Sequence, residues 1–182
     1  MNFEIERRFL VANDMWRHSV SHREKLRDGL IARFGEGKVR VRIANDKALI
    51  TIKGPRTGLR RAEFEYEVPH ADAEEMLNTL CAGPLVEKTR YFVQHDGLTW
   101  HVDVYHGVLE GLVLAEVELA REDQLFARPD WAGREVTGDP RYKSANIFKY
   151  HAKSACCRPQ QTDPPPKHAG QACTLKKCGG VK

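Results

Sequence analysis

Arg61-Ala62-Glu63-Phe64-Glu65-Tyr66-Glu67-Val68, residues 61–68, sets a charged side chain against an apolar or small one at every step. Successive side chains of a strand point to opposite faces, so Arg61, Glu63, Glu65 and Glu67 share one side and Phe64, Tyr66 and Val68 the other. Water accepts any polar residue on the outer face of a half-buried strand. An ionic face of this density is a pattern that needs a geometric reason.

The same period of two recurs near residues 3–11, 38–44, 47–53, 85–95, 98–106 and 113–120, with turn signals at Ala44-Asn45-Asp46, Gly54-Pro55, Asp96-Gly97 and Gly107. A short eighth strand is expected over Arg134–Thr137. The polar faces carry Glu4, Glu6 and Arg8, then Arg40 and Arg42, Lys53, Lys88 and Arg90, Asp103, and Glu116 and Glu118. The opposite faces are apolar, with Val39, Val41 and Ile43 or Trp100, Val102 and Val104 as examples. Helices are expected over Ala71–Leu80, behind an acidic first turn, over Arg141–Lys153, after Asp139-Pro140, and over Asp14–Leu30. The fold class is therefore α+β and β-dominated, with seven or eight antiparallel strands and helices packed against them.

Two geometries satisfy this pattern. The ionic face is either the wet side of an open sheet, where ion pairs contribute about 0–1 kcal/mol each, or the lining of a closed barrel. Eight strands enclose room for side chains or one small ligand, so a charged interior would be a binding tunnel. The ionic set holds seven bases and eight acids, a sum of −1. One or two divalent cations would make it positive, and a polyphosphate would return it near neutrality.

Composition narrows the remaining classes. With 182 residues, 41% hydrophobic and 30% charged, the chain suits one globular domain. No run approaches the roughly 18 apolar residues of a membrane span, and Met1-Asn2-Phe3-Glu4-Ile5-Glu6 carries acids where a signal peptide needs an apolar run, so a cytoplasmic location is expected. The net charge of +4 divides unevenly: residues 151–182 hold six Lys/Arg against Asp163 alone, and the first 150 residues sum to −1. The basic balance belongs to the C-terminal stretch and gives no reason to expect nucleic acid. The domain is expected over residues 1–152. Residues 153–182, with Cys156, Cys157, Cys173 and Cys178 among prolines and glycines, match no usual zinc spacing and are expected to be a disordered tail. Cys81, His95, His101 and His106 are expected to be packing or surface residues.

The opening Glu4-Ile5-Glu6-Arg7-Arg8 resembles the E-x-E-x-K signature of the CYTH domain, the triphosphate tunnel metalloenzyme family. The likeness continues in order through Val39–Ile43, Leu49–Gly54, Arg61–Tyr66, Glu87–Tyr91, Trp100–Asp103, Ala115–Glu118 and Glu135–Thr137 with Arg141-Tyr142. It departs at Arg8, where the signature has Lys, and at Lys143-Ser144, where Asn often follows the tyrosine. The resemblance implies an eight-stranded antiparallel closed tunnel barrel with a charged interior, and hydrolysis of a small-molecule triphosphate, inorganic triphosphate first, with Mg2+ or Mn2+ as cofactor. It implies Glu4, Glu6, Asp103, Glu116 and Glu118 as metal ligands and Arg40, Arg42, Lys53, Arg61, Lys88 and Arg90 as phosphate grips. Arg8, Glu63, Glu65 and Lys88 would be the catalytic set, with Glu63 and Glu65 holding a second metal or orienting water. Alternatives are a nucleoside or thiamine triphosphatase, an adenylate cyclase, or a non-catalytic polyphosphate or nucleotide binder. Neither a nucleic-acid nor a membrane partner is expected, and monomer and homodimer both stay open.

Overall fold

The computed structural model describes residues 2–144 and 146–152. The expected tail, with its four cysteines, lies outside the described residues. Eight strands form the barrel: β1 (Phe3–Val11), β2 (Val20–Phe34), β3 (Gly37–Ala44), β4 (Lys47–Thr57), β5 (Arg60–Glu67), β6 (Val86–His95), β7 (Leu98–Tyr105) and β8 (Val113–Glu118). Their order is β5-β4-β3-β2-β6-β7-β8-β1, all neighbours are antiparallel, and β1 returns to β5 through Phe3↔Ala62, Glu4↔Arg61 and Ile5↔Arg60. Closure removes both sheet edges. The Asp96-Gly97 turn between β6 and β7 has φ values of 47° and 75°, the left-handed pair that a two-residue hairpin requires.

Three expectations are corrected. The stretch from Asp14 to Leu30 is not a helix: a 3-10 turn over Asp14–Ser19 leads into β2, which is 15 residues long and pairs with β3 on one side and β6 on the other. Its Arg, Glu, Lys and Leu content favours helix locally, but two waiting ladders override that preference. The strand expected at Arg134–Thr137 is β9 (Ala132–Glu135), an addition to the far half of β1 that takes no part in closing the barrel. The expected C-terminal helix is shorter, a 3-10 turn at Pro140–Tyr142 followed by α2 (Ile147–His151).

Apolar residues cover the barrel in three places. On one outer flank Trp100 packs against Phe9 at 5.4 Å and Trp131 at 5.3 Å between ring centroids, with Trp16 and Val117 fully buried nearby. On the other flank α1 (His70–Thr79) lays Ala73 and Leu77 on Val41, Ile43 and Ala48. A side chain at Gly29 would overlap Cys81 Sγ and come within 2.7 Å of Leu77 Cδ2, so the missing Cβ lets β2 and this segment approach. The third cluster is internal. Leu10, Tyr105 and Leu114 share strand parity with the charged residues, but they meet Val136, Tyr142 and Ile147, so the inner face turns apolar where the C-terminal segment plugs one end.

Candidate active site in the barrel tunnel

The charged faces point inward, around a cavity of about 640 Å³. Glu4, Glu6, Arg8, Arg40, Arg42, Lys53, Arg61, Glu63, Glu65, Lys88, Arg90, Glu116 and Glu118 all line it. Asp103 lies behind this surface, fully buried beneath Lys88 and Arg90. Glu67 is exposed at a strand end.

Strand order gathers the lining acids on one side of the tunnel, where Arg8 and Arg61 stand among them. β8, β1 and β5 are consecutive in the closed barrel and bring Glu116 and Glu118, Glu4 and Glu6, and Glu63 and Glu65 onto one wall. β3 and β6, separated by β2, place Arg40, Arg42, Lys88 and Arg90 on the wall across from it. No two charges of one strand pair decide this arrangement. It follows from which strands close the ring.

The side chains form three ionic networks. In the first, Lys53 Nζ donates to Glu4 Oε1 at 2.9 Å and contacts Glu63 Oε1 at 2.8 Å, while Arg61 Nε donates to Glu4 Oε2 at 2.5 Å. In the second, Arg8 Nη2 lies 2.9 Å from Glu6 Oε1 and 2.6 Å from Glu116 Oε1, and its Nη1 donates to the Tyr142 carbonyl at 2.5 Å. Arg90 continues that network with bonds of 2.7 and 2.8 Å to Asp103 and 2.8 Å to Glu116, and Lys88 also donates to Asp103. In the third, Arg42 Nε and Nη2 grip Asp28 Oδ1 and Oδ2 at 2.6 and 2.8 Å. Arg40 lies 3.7 Å from Asp28 and donates to Thr51 Oγ1 at 3.1 Å, and Thr51 donates in turn to Glu65 Oε1 at 2.8 Å.

These contacts set the protonation states. Burial opposes the charge on Glu116, but Arg8 and Arg90 outweigh it and hold the carboxyl well below its ordinary value. Asp103 is likewise lowered, by Arg90 and Lys88 against the cost of burial. Burial works against the Arg8 guanidinium too, yet Glu116 and Glu6 raise it above its usual value. Glu118 behaves in the opposite sense: burial raises it, and Glu4, Glu6 and Glu63 raise it further. Among the described residues Glu118 makes no hydrogen bond or ion pair.

That carboxylate is the test of whether a cation fits. An unpaired carboxylate facing three others is an arrangement that a hard, oxygen-ligated cation would relieve. Asp103 and Glu116 already have cationic partners. Among the described residues no three acids, histidines or cysteines converge on a single point as they stand, so ligation would draw carboxylates away from Lys53, Arg61 or Arg8.

Two lining groups, Lys38 and His101, and one residue behind the lining, Asp28, went unseen in the sequence. Asp28 was hidden by the helical reading of its segment, although Gly29 beside it was a sign against a helix interior. Lys38 shares parity with Arg40 and Arg42, which was enough to place it inside. His101, expected to be a surface or packing residue, lines the tunnel, where its Nδ1 lies 3.4 Å from Arg90 Nη1. Burial and Arg90 push its imidazole down to about 4, so it is neutral at physiological pH. Cys81, by contrast, packs beside α1 as expected.

Comparison with known proteins agrees with this geometry. The CYTH domain model matches residues 2–149. An inorganic triphosphatase of Acetivibrio thermocellus is 48% identical over 149 residues, covering 82% of this chain and 95% of that protein. An inorganic triphosphatase of Nitrosomonas europaea is 39% identical over 145 residues, covering 78% and 93%. The crystal structure of the inorganic triphosphatase NE1496 superposes with a TM-score of 0.58 at 34% identity, covering 81% of this chain and 95% of that one. A Pyrococcus horikoshii protein shares the fold at a TM-score of 0.52 and 19% identity, over 66% of this chain and 80% of its own. With a family model spanning nearly all the described residues and relatives matched almost end to end, the chain belongs to the CYTH domain family.

Proposed function

We propose that the tunnel hydrolyses inorganic triphosphate with the help of a divalent cation, Mg2+ or Mn2+. The observation that carries this reading is the facing of an acid wall and a basic wall across one cavity. A triphosphate resists water because its oxygens repel the nucleophile and the leaving phosphate carries charge away, and both obstacles are electrostatic. Two relatives that match most of this chain are inorganic triphosphatases.

In this reading Arg40, Arg42, Lys53, Arg61, Lys88 and Arg90 bind the phosphate oxygens, the arginines through planar forks and the lysines as point charges. Glu4, Glu6, Glu116 and Glu118 would hold the cation, with Asp103 supporting them through Arg90 and Lys88. When bound, the cation would neutralise phosphate charge and favour loss of a proton from water. Arg8 keeps Glu6 and Glu116 at fixed separation on the acid wall. Lys88 offsets charge on the departing phosphate. Glu63 and Glu65 orient the attacking water, and Oε1 of Glu65 already accepts from Thr51 and Arg40. The tunnel walls surround the phosphates with protein on several sides, and the lower local dielectric strengthens each of these interactions.

Phosphate release from inorganic triphosphate, nucleoside triphosphates and thiamine triphosphate, each with Mg2+, Mn2+ or chelator, tests the proposal. Cation-dependent release from inorganic triphosphate above the rest is the expected result. Undiminished release in chelator would remove the metal role, and binding without release would make the chain a phosphate-binding module.

A further inference from the structure

Beyond the tunnel lies a second cavity of about 300 Å³, between the β2–β3 turn, β4 and the segment from Val136 to Asn146. Glu6, Arg8, Lys38, Arg61 and Ser144 line both spaces, so the two adjoin at these side chains. The second cavity adds Arg33, Arg56 and Lys143, of which Arg56 donates to the Leu59 carbonyl at 2.9 Å and lies 3.9 Å from Glu6. Its acids are Glu6, Glu36 and Asp139, and two of these are already engaged, Glu6 by Arg8 and Asp139 by Arg141 at 2.6 Å. Gly35 and Gly138 leave open space where a side chain would project, which exposes backbone to this cavity.

Lys38 stands at the junction. Its strand register sets it opposite Lys53, and among the described residues it makes no hydrogen bond or ion pair. Burial lowers its ammonium well below the ordinary value, and Arg40, Lys53, Arg61 and Arg8 lower it further. A cation held among cations is costly without an anion to offset it. Every other base named in the three tunnel networks already has a carboxylate partner.

We propose that the second cavity is an anion site continuous with the tunnel, taking one phosphoryl group beyond those the tunnel holds, with Lys38 shared between the two. The proposal rests on the reading that the tunnel binds triphosphate. The added phosphoryl group can come from a linear chain of four or more phosphates or from a separate orthophosphate, and the chemistry of recognition is the same.

Calorimetric titration of the full chain in chelator separates these cases, using inorganic triphosphate, linear tetraphosphate, and orthophosphate added to triphosphate-saturated protein. One charge-assisted phosphate contact more should make tetraphosphate bind about tenfold tighter than triphosphate. The Arg33→Ser/Lys143→Ser double variant removes two bases of the second cavity and none that line the tunnel, and should bring that ratio close to one while leaving triphosphate affinity within about twofold. Equal affinity for the two chains, together with orthophosphate binding that the double variant loses, would assign the site to a separate phosphate. Equal affinity with no orthophosphate binding overturns the proposal, as does a ratio that the double variant leaves unchanged. Failure of wild-type protein to bind triphosphate both in chelator and with Mg2+ present would instead overturn the functional reading, and this proposal with it.

Discussion

Replacing Asp28 by Asn removes one charge from the base of the basic wall while nearly keeping the shape of the side chain. In the wild type Asp28 is 8% exposed and receives two bonds from Arg42, at 2.6 and 2.8 Å, with Arg40 a further 3.7 Å away. Breaking a buried pair by removing one partner costs about 3–5 kcal/mol. Asn still accepts one bond and the cavity admits water to Arg40, so the expected loss is about 2–4 kcal/mol. With a urea slope of about 1–3 kcal/mol per molar, the unfolding midpoint should fall by about 1 M or more. Burial works against the Asp28 carboxylate, but Arg42 and Arg40 hold it far below the ordinary carboxylate range. A lowered carboxyl stabilises the fold fully above its unfolded value and loses that contribution as pH falls toward its folded value. The gap between wild type and variant should thus be complete at pH 7 and shrink only below about pH 4. Triphosphate should stabilise the variant more than the wild type, because phosphate oxygens take over the fork of Arg42 that Asp28 occupied. Equal midpoints at pH 7 would refute the assignment of Asp28 as the partner that fixes both arginines.

Three other substitutions probe separate parts of the site. Arg8→Lys keeps a charge between Glu6 and Glu116 but cannot also reach the Tyr142 carbonyl, so stability should fall by about 1–2 kcal/mol while kcat stays within a few-fold; a tenfold gain in kcat would mean that an amine there serves the reaction directly. Glu118→Gln relieves repulsion with Glu4, Glu6 and Glu63, and should raise the melting temperature in chelator while shifting the Mg2+ dependence of turnover about tenfold higher; a lower melting temperature in chelator would contradict the repulsion. Trp131→Ala removes a ring packed 5.3 Å from Trp100 on the outer flank and should cost about 3–5 kcal/mol in denaturant unfolding with KM unchanged, whereas a changed KM would couple that flank to the tunnel.

Alternation alone, read along residues 61–68 and its counterparts, decided that this protein is built of strands with one ionic and one apolar face, because the strand period of two leaves no other way to sort those side chains. It also named nearly all of the charged tunnel lining, since residues two apart on one strand must share a face. It could not place β2, whose local composition suits a helix and whose conformation comes from β3 and β6 on either side. Asp28 was lost with it. Nor could the sequence tell a wet sheet from a closed barrel, a choice made by the three residue pairs joining β1 to β5, whose partners are more than 50 positions apart. That closure brings the acids of β8, β1 and β5 together and turns them toward the arginines of β3 and β6. It also leaves Glu118 unpaired among Glu4, Glu6 and Glu63, which come from strands remote in the chain, and adds Arg8 and Arg61 to the bases of its own hairpin that surround the unpaired Lys38. Parity is local and can be read from the sequence, whereas the charges that face a residue across the tunnel depend on which strands close the ring.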